Sequence, residues 1–168
     1  MTNSLELLPP GSKIFIDTNI FLYDILGYTK FKPSCVAFLQ KLEGNAYCAV
    51  TSTQVLNEVV FKLILAEITK KYGLLRENEA RRLIKERAET ISSLTQVWKD
   101  YAAIKAYPLT IYSIDQSTMD MAINISSRFG LLISDATHVA IMKAQGIANI
   151  ATNDRDFRRV NGIVIYTP

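Results

Sequence analysis

Lys13-Ile14-Phe15-Ile16-Asp17-Thr18-Asn19-Ile20-Phe21-Leu22-Tyr23 carries the strongest local signal in this chain. An apolar run stops at a carboxylate, two polar residues follow, and a second apolar run begins at once. The first run reads as a buried strand over about 13–17 and the second as a short helix over about 18–25. Asp17 then stands at the carboxyl edge of a sheet, where open α/β sheets bind their ligands.

Similar units recur on the C-terminal side. Pro33 suits the first turn of a helix that Gly44 ends, and Tyr47-Cys48-Ala49-Val50 reads as a second strand. Ser52 or Thr53 is placed to cap a helix running to about 70, whose Val55, Leu56, Val59, Val60, Phe61 and Leu63 predict burial on several sides. Apolar residues at helical spacing between Asn78 and Ala106 predict one long helix, capped by Asn78 and stopped by Pro108. Leu109–Tyr112 is a third strand, Asp115 opens a helix that Gly130 closes, and Ser134 or Asp135 caps another that ends at Gly146. Ala148–Thr152 and Gly162–Tyr166 complete the strands. Short apolar strands separated by helices predict an α/β protein with a parallel sheet covered on both faces. Residues 1–12, with Pro9-Pro10-Gly11, read as a flexible tail, and 13–168 as a single domain with a helical arm over about 73–107.

Composition narrows the class. At 168 residues, 49% hydrophobic and 21% charged, the chain suits one compact domain. No apolar stretch approaches the ~18 residues of a membrane span, and the first residues lack the basic and apolar regions of a signal peptide. Cys35 and Cys48 fit no metal-ligand spacing and read as reduced core thiols, so a cytoplasmic location is expected. The formal charge is +3; with Asp17, Glu58, Asp135, Asp154 and Asp156 gathered in one pocket, eleven acidic residues face nineteen basic ones over the remaining surface. That distribution suits a polyanionic partner around a cation-holding centre. The plain alternative is a solvated surface slightly rich in lysine.

Each carboxylate has an ordinary role available. Asp17 suits a helix cap, Glu58 a pair with Lys62 one turn on, Asp135 an N-cap, and Asp154 an Asx-turn. Together they say more. Glu58 lies in the most apolar helix, where an isolated charge is costly. Asp17 and Asp154 both end strands, and Asp135 faces the same edge if the connections are right-handed. Two carboxylates ~4 Å apart repel by about 4 kcal/mol at an effective dielectric of 20. Such a cluster raises its pKa values or binds a hard cation, and all-oxygen donors favour Mg²⁺ or Mn²⁺.

Four segments carry a family resemblance. Ile14-Phe15-Ile16-Asp17-Thr18-Asn19, Val55-Leu56-Asn57-Glu58, Ile133-Ser134-Asp135-Ala136 and Ala151-Thr152-Asn153-Asp154-Arg155-Asp156-Phe157 resemble, in order, the signature segments of the PIN domain. The resemblance implies a three-layer α/β/α fold with a parallel five-stranded sheet in the order 3-2-1-4-5, and a metal-dependent nuclease, usually a ribonuclease. It implies that Asp17, Glu58, Asp135 and Asp154 hold the divalent metal and are catalytic, with Asp156 a frequent fifth member. Thr18, Asn19 and Thr152 match polar positions that orient those carboxylates or the metal's waters. Much of the family consists of VapC-like toxins held inactive by an antitoxin, although the segment 1–12 and the arm depart from the compact toxin pattern.

The expectation is therefore an endoribonuclease of the toxin type. The alternatives are a stand-alone PIN nuclease in RNA processing and an inactive domain that binds RNA or protein. A phosphoryl-accepting Asp17 of the haloacid dehalogenase type would want an aspartate where Asn19 stands. Arg155, Arg158 and Arg159 are the candidates for phosphate contacts. His138 reads as a core or rim histidine, and Trp98 and Tyr101 as core. The apolar arm is expected to form a homodimer interface or to receive an antitoxin helix.

Overall fold

The computed structural model describes residues 2–168; Met1, the first residue of the expected tail, lies outside them. Its strands are β1 (Thr2–Ser4), β2 (Lys13–Ile16), β3 (Cys48–Ser52), β4 (Leu109–Tyr112), β5 (Asn149–Ala151) and β6 (Val164–Thr167). They form one sheet in the order β1-β6-β5-β2-β3-β4, with every neighbouring pair parallel. The helices are α1 (Thr18–Ile25), α2 (Lys32–Glu43), α3 (Thr53–Tyr72), α4 (Glu77–Glu86), α5 (Glu89–Ser92), α6 (Gln96–Ala106), α7 (Gln116–Phe129) and α8 (Ile133–Ala144), and short 3₁₀ turns cover Leu5–Leu7 and Asp156–Arg159.

β2 is the middle of the sheet because Ile14, Phe15 and Ile16 are apolar on both faces, and all three are fully buried. The pairings Ile16↔Ala151 and Phe15↔Val50 set the ends of β2, β5 and β3 beside one another. Five strands adopt the expected order, and none of the described helices is long and apolar enough to cross a membrane.

The segment read as a flexible tail is different. Thr2–Ser4 forms a sixth strand against β6, and Leu5 and Leu8 are 1% and 3% exposed. Pro9-Pro10-Gly11 turns the chain back toward β2, with Gly11 at φ +77° donating its N–H to the Ala46 carbonyl at 2.7 Å. The turn lies where Pro9-Pro10-Gly11 predicts it; the burial that orders the segment comes from Leu5 and Leu8 before it.

The arm is three helices instead of one. The Glu79 carboxylate accepts the N–H groups of Leu75 (3.0 Å) and Arg76 (3.3 Å), moving the start of α4 ahead of Asn78. Glu67 reaches from α3 and accepts the N–H groups of Thr95, Gln96 and Val97 at 3.0, 3.1 and 2.8 Å, which fixes the start of α6. α6 packs through Val97 and Ile104, leaving Trp98 44% exposed and Tyr101 half-buried, so Trp98 is not the core residue that its spacing suggested. α3 likewise buries Val55, Val59 and Leu63 but leaves Phe61 exposed. Cys35 is buried and Cys48, at the start of β3, is exposed; both are free thiols.

Candidate active site

Four connections deliver polar side chains to the carboxyl edge of the sheet. β2 ends at Asp17, which is 6% exposed and caps α1: its Oδ1 accepts the Thr18 N–H at 2.6 Å. Its Oδ2 accepts the Thr152 hydroxyl at 2.6 Å and the Asn19 side-chain amide. Glu58, in the second turn of α3, is held from both sides. The Thr18 hydroxyl donates to its Oε2 at 2.8 Å, and the Gln54 amide donates to its Oε1 at 3.0 Å. The expected Glu58–Lys62 pair is absent, since Lys62 turns to Glu77 at 3.3 Å.

The loop after β5 is fastened to the same centre. Thr152 Oγ1 accepts the Asp154 N–H at 2.9 Å, and Asn19 Oδ1 accepts the Asn153 N–H at 3.1 Å. Asp154 makes the expected Asx-turn by accepting the Asp156 N–H at 2.8 Å. Asp135 lies in the first turn of α8, inside the helix and not at its cap, which falls at Leu132. Asn19 and Thr152, chosen as orienting residues, thus bind both Asp17 and the Asp154 loop.

Electrostatics ties the four carboxylates together. Burial raises the pKa of Asp17 to about 6, although hydrogen bonds from Thr152 and Thr18 work against it, and the charges of Glu58 and Asp154 raise it further. Asp135 also rises to about 6, first through burial and then through repulsion from Asp154, Asp17 and Glu58, against the opposing influence of His138. Among the described residues, no lysine or arginine forms an ion pair with any of the four. Asp156 is different, because Arg159 pairs with it at 2.9 Å. Arg155 and Arg158 are exposed beside this loop.

His138 is 1% exposed, with ring centroids 5.2 Å from Phe15 and 6.4 Å from Phe157. Its Nε2 is 3.7 Å from Asp17 Oδ1, and burial lowers its pKa toward the neutral form. It is a core histidine forming the floor beneath Asp17. Sequence reasoning missed Gln54 and Tyr23, whose hydroxyl accepts the Asn153 amide at 3.0 Å. The i, i+4 spacing of Gln54 and Glu58 was the available signal for the first; nothing local pointed to the second.

The donor chemistry fits a hard divalent cation: carboxylate oxygens whose mutual repulsion no lysine or arginine among the described residues relieves by pairing. Among the described residues, no three acidic, histidine or cysteine side chains are gathered closely enough to clasp an ion as they stand.

The PIN domain sequence profile matches residues 14–163. The chain belongs to the PIN domain family. Ribonuclease VapC2 of Methanocaldococcus jannaschii is 26% identical to this PIN domain over 156 residues, covering 92% of this chain and 93% of the relative. Among solved structures, VapBC2 from Rickettsia felis, bound to a DNA fragment from its promoter, superposes with a TM-score of 0.59 at 17% identity, over 92% of this chain and 98% of that one. VapC20 of Mycobacterium tuberculosis, a toxin that cleaves the sarcin–ricin loop, gives 0.56 at 18% identity, over 86% of this chain and 92% of that one. At these identities the two structural likenesses establish the fold alone. β1 precedes the matched region of the PIN domain.

Proposed function

We propose that this PIN domain is a divalent-metal-dependent endoribonuclease that hydrolyses RNA phosphodiester bonds, and that it is a VapC-like toxin whose partner is an antitoxin. The observation that carries the reading is the set of four carboxylates at one sheet edge, mutually repelling and, among the described residues, without a lysine or arginine paired to them. Similarity to a named ribonuclease over 92% of the chain supports it. A cytoplasmic location and a second copy of the chain as a further partner are expected on the same reading.

Asp17, Glu58, Asp135 and Asp154 would hold Mg²⁺ or Mn²⁺, which when bound lowers the pKa of water and neutralises charge on the scissile phosphate. The chain's own polar residues prepare that position. Thr152 and Asn19 fix Oδ2 of Asp17, while Thr18 and Gln54 fix both oxygens of Glu58. Because Asp17 and Asp135 release their protons only near pH 6, cation binding strengthens as pH rises through that value. Arg155 and Arg158, exposed next to Asp154, are positioned to meet phosphates of the bound strand.

The test is cleavage of a labelled RNA in Mg²⁺, in Mn²⁺ and in excess chelator. Cleavage should require metal and disappear in Asp17→Asn. Undiminished activity in chelator would overturn the scheme, and RNA binding without turnover would reassign the chain as a binding domain.

A further inference from the structure

Two concavities flank the exposed side of α3 next to Glu58. One, of about 340 Å³, lies between α3 and the first turn of α8, with Gln54, Asn57 and Ser134 on its walls. The other, of about 370 Å³, lies between α3 and α6, with Leu56 and Val60 as its floor and Trp98 and Tyr101 as its wall. They share Thr53 and Asn57, two exposed residues that form a ridge between them. Gln54 lines the first concavity and also holds Glu58, so the pair forms a track leading from the carboxylates to Trp98.

We propose that the second concavity is a subsite for an unpaired base of the RNA substrate, stacked on Trp98 and Tyr101 and read along its edge by Asn57 and Thr53. This rests on the ribonuclease reading above. Single-stranded RNA is recognised by stacking on aromatic rings and by hydrogen bonds to base edges, and the subsite has both elements. Trp98, 44% exposed, and Tyr101 stand one helical turn apart on α6. Among the described residues, the side chains of Thr53, Asn57, Trp98 and Tyr101 make no hydrogen bonds, leaving their polar atoms available.

A pair of aromatic rings separates this site from the larger clefts. Among the described residues, neither concavity has an acidic side chain on its walls. The 790 Å³ cleft has no aromatic side chain among the described residues of its walls, and the 680 Å³ cleft has Tyr28 alone; in both, acidic residues alternate with lysines. The ammonium of Lys105, one helical turn beyond Tyr101 on α6, is 5.8 Å from the Tyr101 ring centroid. A volume of about 370 Å³ falls within the roughly 300–1,000 Å³ of ligand pockets.

Trp98 is the only tryptophan of the chain, so its emission reports this site alone. The experiment titrates a labelled single-stranded RNA into Asp17→Asn protein, following Trp98 fluorescence and RNA anisotropy together. Quenching with the same midpoint as the anisotropy change is expected, and a duplex should quench much less. In the cleaving protein, Trp98→Ala should raise KM by roughly 5- to 150-fold, the equivalent of about 1–3 kcal/mol of stacking, with a smaller effect on kcat; Trp98→Phe should restore most of the loss. Asn57→Ala should change the preference among bases.

Bound RNA with silent Trp98 would overturn the subsite and leave the nuclease reading intact. Equal quenching by duplex would overturn it as well. So would a concentration-dependent change in emission without RNA, accompanied by a dimer in light scattering, because a second copy would then occupy the face. Quenching in a wild-type protein that cleaves no RNA with any divalent metal would uphold the subsite and remove the nuclease.

Discussion

Replacing Asp17 with asparagine should stabilise the metal-free protein while abolishing the proposed activity. Burial and neighbouring charge raise the Asp17 pKa from the ordinary 3.8 to about 6, a difference worth roughly 3 kcal/mol. The folded state keeps this proton up to about pH 6, whereas the unfolded chain releases it near 3.8. Between those values the folded state binds more protons, so stability falls as pH rises through the window, and the full cost applies above it. Asparagine carries no charge to bury. It can still accept from Thr152 and Asn19 through its carbonyl, at the loss of the Thr18 N–H contact, worth about 1 kcal/mol. The net gain is about 2 kcal/mol at pH 7.5, or a Tm higher by roughly 4–8 °C for a chain of this size.

Near pH 3 the relief vanishes and only the lost contact remains, so the variant should melt roughly 2–4 °C below wild type. Thermal unfolding followed by circular dichroism in chelator, at both pH values, reads the two signs directly. Adding Mg²⁺ at pH 7.5 should raise the wild-type Tm and leave the variant nearly unmoved. A variant that melts below wild type by the same amount at both pH values would refute the electrostatic argument.

Three further outcomes follow from the contacts described. Thr18→Val removes the hydroxyl that steadies Glu58, and calorimetric titration should show Mn²⁺ affinity reduced by about 10- to 100-fold in a folded protein. Glu67→Ala strips three N–H partners from the start of α6, and its urea midpoint should correspond to a loss of about 1–3 kcal/mol. The Glu67 pKa is lowered, as those N–H groups outweigh partial burial, so its stabilisation should persist above the ordinary glutamate value and fade as pH falls through the lowered one. Leu5→Ala should cost about 2–5 kcal/mol, where a flexible tail would give a change within about 0.5 kcal/mol.

What was legible in the sequence was local. The junction Ile16-Asp17-Thr18 announces a strand end, a cap and a helix start within three residues, and all three are present. The Asx-turn at Asp154 was equally local. What escaped depends on contacts between distant residues. Glu58 looks like a partner for Lys62 until Thr18, forty positions earlier, arrives to hold it. The break before α6 is set by Glu67, 28 residues upstream of Thr95. Trp98 shares the helical spacing of its apolar neighbours, but α6 is covered only along the side of Val97 and Ile104, so periodicity alone overstated its burial.

The pairing of β1 with β6 has a consequence for a chain made on the ribosome. Ser4 must wait for Thr167 before its strand has a neighbour. The turn over Leu5–Leu7 has a nearer support, because it packs against α2. Until β1 and β6 meet, each presents a row of unpaired backbone groups to whatever lies nearby.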